Sequence, residues 1–260
     1  MRFKLCVLAG SSKGNSIFLK IDDERFLIDV GISNRKIEKA LKDINEPNPS
    51  HLTGIIITHE HSDHIKGLKT LAKKYHIKSW LTYDTYLKIR PKTGPIDTEF
   101  IEIAESFSIG SVNFVPYEIP HDAVDPVAYV ITKDKLRIGI LLDCGKTSTY
   151  LFDGFHNLDV LIIEANHSFD QLLSSTYSDV LKTRILSSKG HLSNWHTAEF
   201  IIKTKPKVVI VTHISESNNS AELAFSEIGD ILALNTEKYN PFIVIVPSTE
   251  RGAIISLEEE

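Results

Sequence analysis

Apolar residues in this chain fall into short runs of strand length, separated by stretches with helical spacing. Three runs, Gly54-Ile55-Ile56-Ile57-Thr58, Val160-Leu161-Ile162-Ile163 and Val208-Val209-Ile210-Val211, are continuous and end in polar residues. Such runs predict strands buried on both faces. Further strands are predicted over residues 3–9, 16–21, 25–31, 79–81, 100–104, 106–109, 112–119, 127–132, 136–142, 242–246 and 253–256. Helical spacing predicts helices through Ile37, Leu41 and Ile44, over residues 66–74, 84–89, about 171–187, around Ala198, Ile201 and Ile202, and over residues 221–234. Residues 91–95 read as a Pro/Gly loop and residues 45–49 as a linker. Two strand-rich halves, each with helices and with no low-complexity linker between them, predict one domain over residues 1–260. Its class is α/β (α+β), with two sheets packed face to face and helices outside.

The strand at Ile55–Ile57 runs directly into His59-Glu60-His61-Ser62-Asp63-His64-Ile65, and a helical pattern follows. Three imidazoles and a carboxylate in one tight strand-to-helix turn can hardly diverge, and these are the N/O ligands that divalent first-row metals prefer. The spacing H-x-H-x-D-H is far more specific than a lone H-x-H. Other predicted strands also end in candidate ligands, at His121, Asp143, Glu164 and His213. Sites in sheet proteins collect where several strand ends meet.

Composition narrows the class further. The chain has 260 residues, 42% hydrophobic and 24% charged, with a net charge of −5. No apolar run approaches the roughly 20 residues needed to span a bilayer, so no membrane partner is expected. Its two cysteines, Cys6 and Cys144, are far apart and form no C-x-x-C, which fits a reduced, cytoplasmic chain. The acidic balance argues mildly against a general nucleic-acid binder, although metal ligands supply part of that acidity. Lysines at 66, 69, 73 and 74 and at 203, 205 and 207 read as solvated helix faces.

The histidine turn resembles the signature of the metallo-β-lactamase superfamily, whose fold is a four-layer αββα sandwich of two mixed sheets. The resemblance implies two divalent metal ions, zinc first and manganese second, with a hydroxide shared between them as nucleophile. It assigns His59, His61 and His121 to one metal, Asp63, His64 and His213 to the other, and Asp143 to a bridging place, where Cys144 departs from the usual threonine. Asp29, at the end of the strand over residues 25–31, either caps the next helix or, as the resemblance implies, supports the metal ligands from behind. Asp63 thereby counts among the catalytic residues.

His191 opens a predicted helix 22 residues before His213. It is either an exposed residue at a helix start or, by resemblance to the phosphodiesterase branch typified by tRNA 3′-processing endonucleases, the acid that protonates the leaving oxygen. Glu164 would then orient it. His196 is a weaker rival for that role, while His51, His76 and His156 read as surface residues. Gly10-Ser11-Ser12-Lys13-Gly14-Asn15 by itself is a hairpin turn, although its small residues would also let backbone amides approach an anion. Ser11, Ser12, Lys13 and Asn15 are therefore candidate substrate contacts, together with Asn166, His167, Ser215, Asn218 and Asn219. His167 could equally be a satisfied polar residue.

That glycine loop, Pro120-His121-Asp122-Ala123, Asn166-His167, Leu181-Lys182-x-Arg184-Ile185, Gly190-His191-Leu192-Ser193-Asn194 and Thr212-His213-Ile214-Ser215-Glu216-x-Asn218-Asn219 together resemble the YycJ/WalJ (VicX) family over nearly the whole chain. Ser168 and Ser178 depart from its usual Asn-His-Asp and Tyr-Pro. The resemblance implies an enzyme hydrolysing phosphodiesters, a 5′→3′ DNA exonuclease encoded with a cell-wall regulatory system. Its substrate would be nucleic acid or a nucleotide. A hydrolase of a small cyclic nucleotide, thioester or lactone is the rival, and a regulatory module that keeps the metals for stability is a third reading. Nothing in the sequence speaks to oligomeric state.

Overall fold

Period-two alternation sends the side chains of each strand into two different cores. The computed structural model describes residues 2–235, 239–248, 252 and 254–258. Strands β1 (Arg2–Ser11), β2 (Gly14–Ile21), β3 (Glu24–Ile28), β4 (Gly54–Ile56), β5 (Ser79–Thr82) and β6 (Thr98–Ile101) lie side by side in chain order. Strands β7 (Phe107–Ile109), β8 (Val112–Glu118), β9 (Val127–Lys133), β10 (Leu136–Leu141), β11 (Val160–Glu164), β12 (Val208–Thr212) and β13 (Phe242–Ile245) form a second sheet, also in chain order. Strand β14 (Ile255–Glu258) returns to pair with β1. Both sheets are mixed: the β1–β3 and β7–β10 neighbours are antiparallel, and the β3–β6 and β10–β13 neighbours are parallel.

Ile17, Leu19 and Ile21 of β2 and Val127, Tyr129 and Ile131 of β9 meet in the core between the sheets. Their alternates face outward: Phe18 joins a core with Ile37, Leu41, Leu68 and Leu71, and Ala128 and Val130 join one with Leu151, Phe200, Ile201 and Ile228. Helices α1 (Asn34–Asp43), α2 (Ser62–Ile65), α3 (Leu68–Tyr75) and α4 (Tyr83–Thr93) accompany the first sheet. Helices α5 (Thr149–Gly154), α6 (Phe169–Ser174), α7 (Asp179–Leu186), α8 (Asn194–Thr204) and α9 (Ala221–Leu234) accompany the second. The result is the predicted sandwich of two mixed sheets with helices outside.

Some boundaries differ from the sequence pattern. The single helical stretch expected over about 171–187 is two helices, because Ser178 breaks it and caps α7 by accepting from the Leu181 amide. Pro91, expected to open a loop, lies inside α4, which continues to Thr93. A proline here sacrifices one hydrogen bond near the helix end, and the Thr93 hydroxyl donates to the Ile89 carbonyl to close the last turn. The strand expected over residues 100–104 stops at Ile101, and Ala104 has a left-handed backbone at φ 66°. The strand expected over residues 25–31 stops at Ile28 for the same reason, since Asp29 has φ 59°. Ala253, within the last predicted strand, lies outside the described residues.

Candidate metal centre

The ligands converge because parallel strands all end on one side of the molecule. Strand β3 runs into Asp29, β10 into Asp143, β11 ends in Glu164, and β12 runs into His213. Asp29, Asp143 and His213 each have a left-handed backbone, with φ of 59°, 54° and 53°. This conformation is uncommon for residues other than glycine, and it turns the chain sharply so that the side chain caps the strand end.

The histidine turn is held by the segment after β3. The Val30 amide donates to the His64 carbonyl at 2.8 Å, the Gly67 amide to the Val30 carbonyl at 2.7 Å, and the Gly31 amide to the Asn15 carbonyl at 2.7 Å. Gly31 sits directly under Asp63: a β-carbon there would lie 1.4 Å from the Asp63 carbonyl oxygen. Behind the turn, one oxygen of Asp29 accepts from the Thr58 amide at 2.9 Å. The other accepts from the Thr58 hydroxyl at 2.8 Å and faces His64 Nδ1 at 2.7 Å. A carboxylate behind an imidazole in this way fixes its tautomer and leaves Nε2 to a metal. Thr58 was not singled out by sequence, although its place just before the first histidine was the available signal.

Three overlapping groups bring ligand atoms within 4.8 Å of one another: His59, His61 and His121; His59, His64 and Asp143; and Asp143, Glu164, His191 and His213. The expected first set therefore assembles as one group. The expected second set does not. His64 faces Asp143 at 2.7 Å, His213 lies 3.2 Å from both Asp143 and Glu164, and Asp63 stands at the edge, 3.5 Å from His64 Nε2. Asp143 belongs to two of the groups, as a linking carboxylate must. Glu164 and His191 lie within ligand distance of it as well as of each other.

The donor set fits divalent metal. Among the described residues, His59 Nε2, His213 Nε2 and both Asp143 oxygens are buried without a hydrogen bond. Imidazoles approach the Asp143 oxygens closely but miss hydrogen-bond geometry. Buried polar atoms are rarely left so without a ligand to satisfy them, and imidazole with carboxylate is a set that suits zinc and its neighbours.

The charges follow from burial and proximity. Burial, with His64 adding to it, holds His59 well below the ordinary histidine pKa, and burial lowers His121 too. Both are thereby neutral, the form in which imidazole binds a metal. Burial also opposes charge on His64, but the Asp29 and Asp143 carboxylates override it and raise its pKa. Asp143 stays ionised despite burial because His213 and His64 stand against it. Glu164 likewise stays below the usual carboxylate range, chiefly through His191. The imidazole of His191 is itself pushed up to about 10, where Glu164 and Asp143 outweigh burial. Its Nδ1 lies 3.0 Å from Glu164 Oε2. At 18% exposed, against 1% for His213 and 0% for Glu164, its side chain is partly open to solvent.

The expected substrate contacts divide. Ser11 and Gly14 close the β1–β2 hairpin, with the Ser11 hydroxyl accepting from the Lys13 amide at 3.2 Å and Ser12 exposed at its tip. Lys13 is ion-paired with Glu216, just beyond His213. Asn15 is buried and its amide lies 3.3 Å from Asp63 and 3.0 Å from His64 Nε2, so it touches the metal turn. Asn166 reaches the His213 carbonyl at 3.5 Å, and the Ser215 hydroxyl accepts from the amides of Ser217 and Asn218. Asn218 is buried, and its Oδ1 has no partner among the described residues. Asn219 is consumed internally: its amide donates to the carbonyls of Ala165 and of the Asn194 side chain, both at 2.8 Å. His167 is buried, its Nδ1 has no hydrogen-bond partner among the described residues, and burial brings its pKa down to about 4. His196 lies on α8 against Ser193, and His51, His76 and His156 are exposed.

Fold and donor set together define a hydrolase-type metallo-β-lactamase sandwich, and the chain belongs to that superfamily: the model of the beta-lactamase superfamily domain matches residues 24–214. Within it, the chain belongs with the WalJ and YycJ proteins. It is 37% identical over 230 residues to exodeoxyribonuclease WalJ of Streptococcus pneumoniae, covering 85% of each chain. It is 30% identical over 238 residues to exodeoxyribonuclease YycJ of Bacillus anthracis, covering 89% of this chain and 90% of that one. Among solved structures, the metallo-β-lactamase fold protein YhfI of Bacillus subtilis superposes with a TM-score of 0.77 at 16% identity, over 98% of this chain and 99% of that one.

Proposed function

We propose that this chain is a metal-dependent phosphodiesterase acting on nucleic acid, of the exodeoxyribonuclease type named for its relatives. The observation that carries the reading is the place of His191, 3.0 Å from Glu164, 3.1 Å from Asp143 and partly exposed beside the cluster of candidate metal ligands. Phosphodiester cleavage expels a poor leaving group, and a histidine acid at that place supplies its proton. A thioester expels a thiolate, a far better leaving group, and its hydrolysis needs no such acid.

His59, His61 and His121 would hold one divalent ion; His64 and His213, which both approach Asp143, would hold a second, with Asp63 joining from the edge of the cluster; zinc suits the imidazoles and manganese the carboxylates. Ions held there supply acidity to water and positive charge to offset the phosphate. The chain's own residues do the rest. Asp29 orients His64, Glu164 keeps the His191 ring in place through Nδ1, and His191 delivers a proton to the departing oxygen. Among the described residues no helix is long and apolar enough to cross a membrane, and a cytoplasmic nuclease folded as one domain accommodates both cysteines in their separate outer cores.

The test is a substrate panel with zinc or manganese, run on the wild type beside Asp63→Ala and His191→Ala. Single- and double-stranded DNA, RNA, cyclic nucleotides, thioesters, lactones and bis(p-nitrophenyl) phosphate are the substrates. Degradation of DNA from an end, lost in both variants and on chelation, is expected. Turnover of a thioester or lactone that His191→Ala leaves intact overturns the reading.

A further inference from the structure

Beside His61 the surface opens into a groove of about 590 Å³, lined by Glu60, His61, Lys88, Lys92, Asp122 and Val124 among others. One wall is the loop after His121 and the other is α4. The two acidic residues in it are already engaged. The Glu60 carboxylate accepts from the Val124 amide at 3.1 Å, and Asp122 is bound by the Arg184 guanidinium through Nε at 2.7 Å and Nη2 at 2.5 Å. Lys88 and Lys92 are different. They lie one helical turn apart on α4, are exposed, and form no ion pair or hydrogen bond among the described residues. Lysines at 4, 13, 20, 74, 78, 133, 203 and 207 have carboxylate partners, whereas others, such as Lys66, Lys69 and Lys73, have none among the described residues; what sets Lys88 and Lys92 apart is that they line a groove shared with His61. The groove thus presents two uncommitted ammonium groups to an anion, at the 5–6 Å side-chain spacing of i and i+4 neighbours. It is continuous with the metal centre through His61, which belongs to both.

We propose that this groove carries the sugar-phosphate backbone of a single nucleic-acid strand into the metal centre, with Lys88 and Lys92 each holding one phosphate. The proposal rests on the phosphodiesterase reading for the strand's identity. Its geometry selects a flexible polyanion. A thioester or lactone would gain nothing from two lysines outside the ligand cluster, and a mononucleotide seated at the metals would leave them idle. Phosphate contacts of this kind are sequence-independent and set register and affinity rather than base choice. They also make affinity depend on salt, by a slope of about 0.7 per phosphate contacted on a single strand.

The experiment measures binding of a fluorescent, cleavage-resistant phosphorothioate oligodeoxynucleotide to the full chain by anisotropy across a salt series. Lys88→Gln/Lys92→Gln is expected to weaken binding about tenfold at low salt and to reduce the slope of log K against log salt by about 1.4, the loss of two contacts. Lys88→Arg/Lys92→Arg should restore both, and Lys69→Gln/Lys73→Gln, an equally spaced pair on α3, should change neither. Unchanged affinity and slope in the Gln pair overturn the proposal, as does an equal loss in the α3 pair. Because the readout is binding, it stands apart from catalysis. A protein that binds the strand through this pair yet cleaves no phosphodiester would refute the proposed function and leave the groove in place.

Discussion

The carboxylate of Glu164 faces the His191 ring at 3.0 Å, and its other oxygen accepts the Cys144 amide at 2.6 Å. Glu164 is therefore locked to the strand end that carries Asp143, so His191 is oriented by the same backbone that places Asp143 in the cluster. His191→Ala should lower phosphodiester hydrolysis by roughly 10²–10⁴-fold while bound metal, measured by mass spectrometry of the dialysed protein, stays at the wild-type level. A matching fall in metal content would instead make His191 a ligand.

Asp29 touches the candidate ligands directly at His64 and, through the Thr58 hydroxyl, at His59. Asp29→Asn keeps the left-handed backbone that asparagine tolerates but removes the charge facing Nδ1. Metal affinity is expected to fall by roughly 10–100-fold, read by competition with a chromogenic chelator.

Gly31→Ala tests the close crossing under the metal turn. A methyl 1.4 Å from the Asp63 carbonyl oxygen forces β3 and the turn apart. We expect a loss of more than about 3 kcal/mol in stability or failure to accumulate soluble protein, whereas Gly229→Ala, with nothing within 4 Å, should be neutral or stabilising. Urea unfolding of the two variants makes the comparison.

Away from the site, Glu46 gathers Lys4, Lys20 and Arg25 at 3.1–3.2 Å. Burial would raise its pKa, but the three cations hold it below the ordinary value of 4.5. Because the folded pKa is the lower one, the stabilisation is complete above the unfolded value and is lost as pH falls through the folded value. Glu46→Gln should cost about 1 kcal/mol near neutral pH, partial solvent contact screening the rest. The difference from wild type in urea midpoint should shrink steadily below pH 4.5.

How much of this was legible in the sequence depended on the range of the interaction. The His59–His64 turn could be read because its ligands are neighbours in the chain, and β4, β11 and β12 because burial on both faces leaves unbroken apolar runs. Ile28 and Asp29 look like one strand until β3 meets the turn it supports, since a left-handed residue has no signature when it is not glycine. Asn15 and Asn219 looked available for substrate because the partners that occupy them are distant in sequence: His64 is 49 residues from the first, and Ala165 is 54 from the second. Lys88 and Lys92 carried no signal in the sequence, one in a predicted helix and the other in an expected loop, and only the fold sets them on the rim of a groove that contains His61.

The left-handed backbone at Asp29, Asp143 and His213 has a consequence for metal exchange. These conformations are set by the two sheets and their three apolar cores, so the ligand frame is a product of folding rather than of ion capture. Stability of the chain should then be only loosely tied to which cation it carries. Stripping any bound divalent ion with a chelator is then expected to leave the chain folded, with its urea midpoint nearly unchanged.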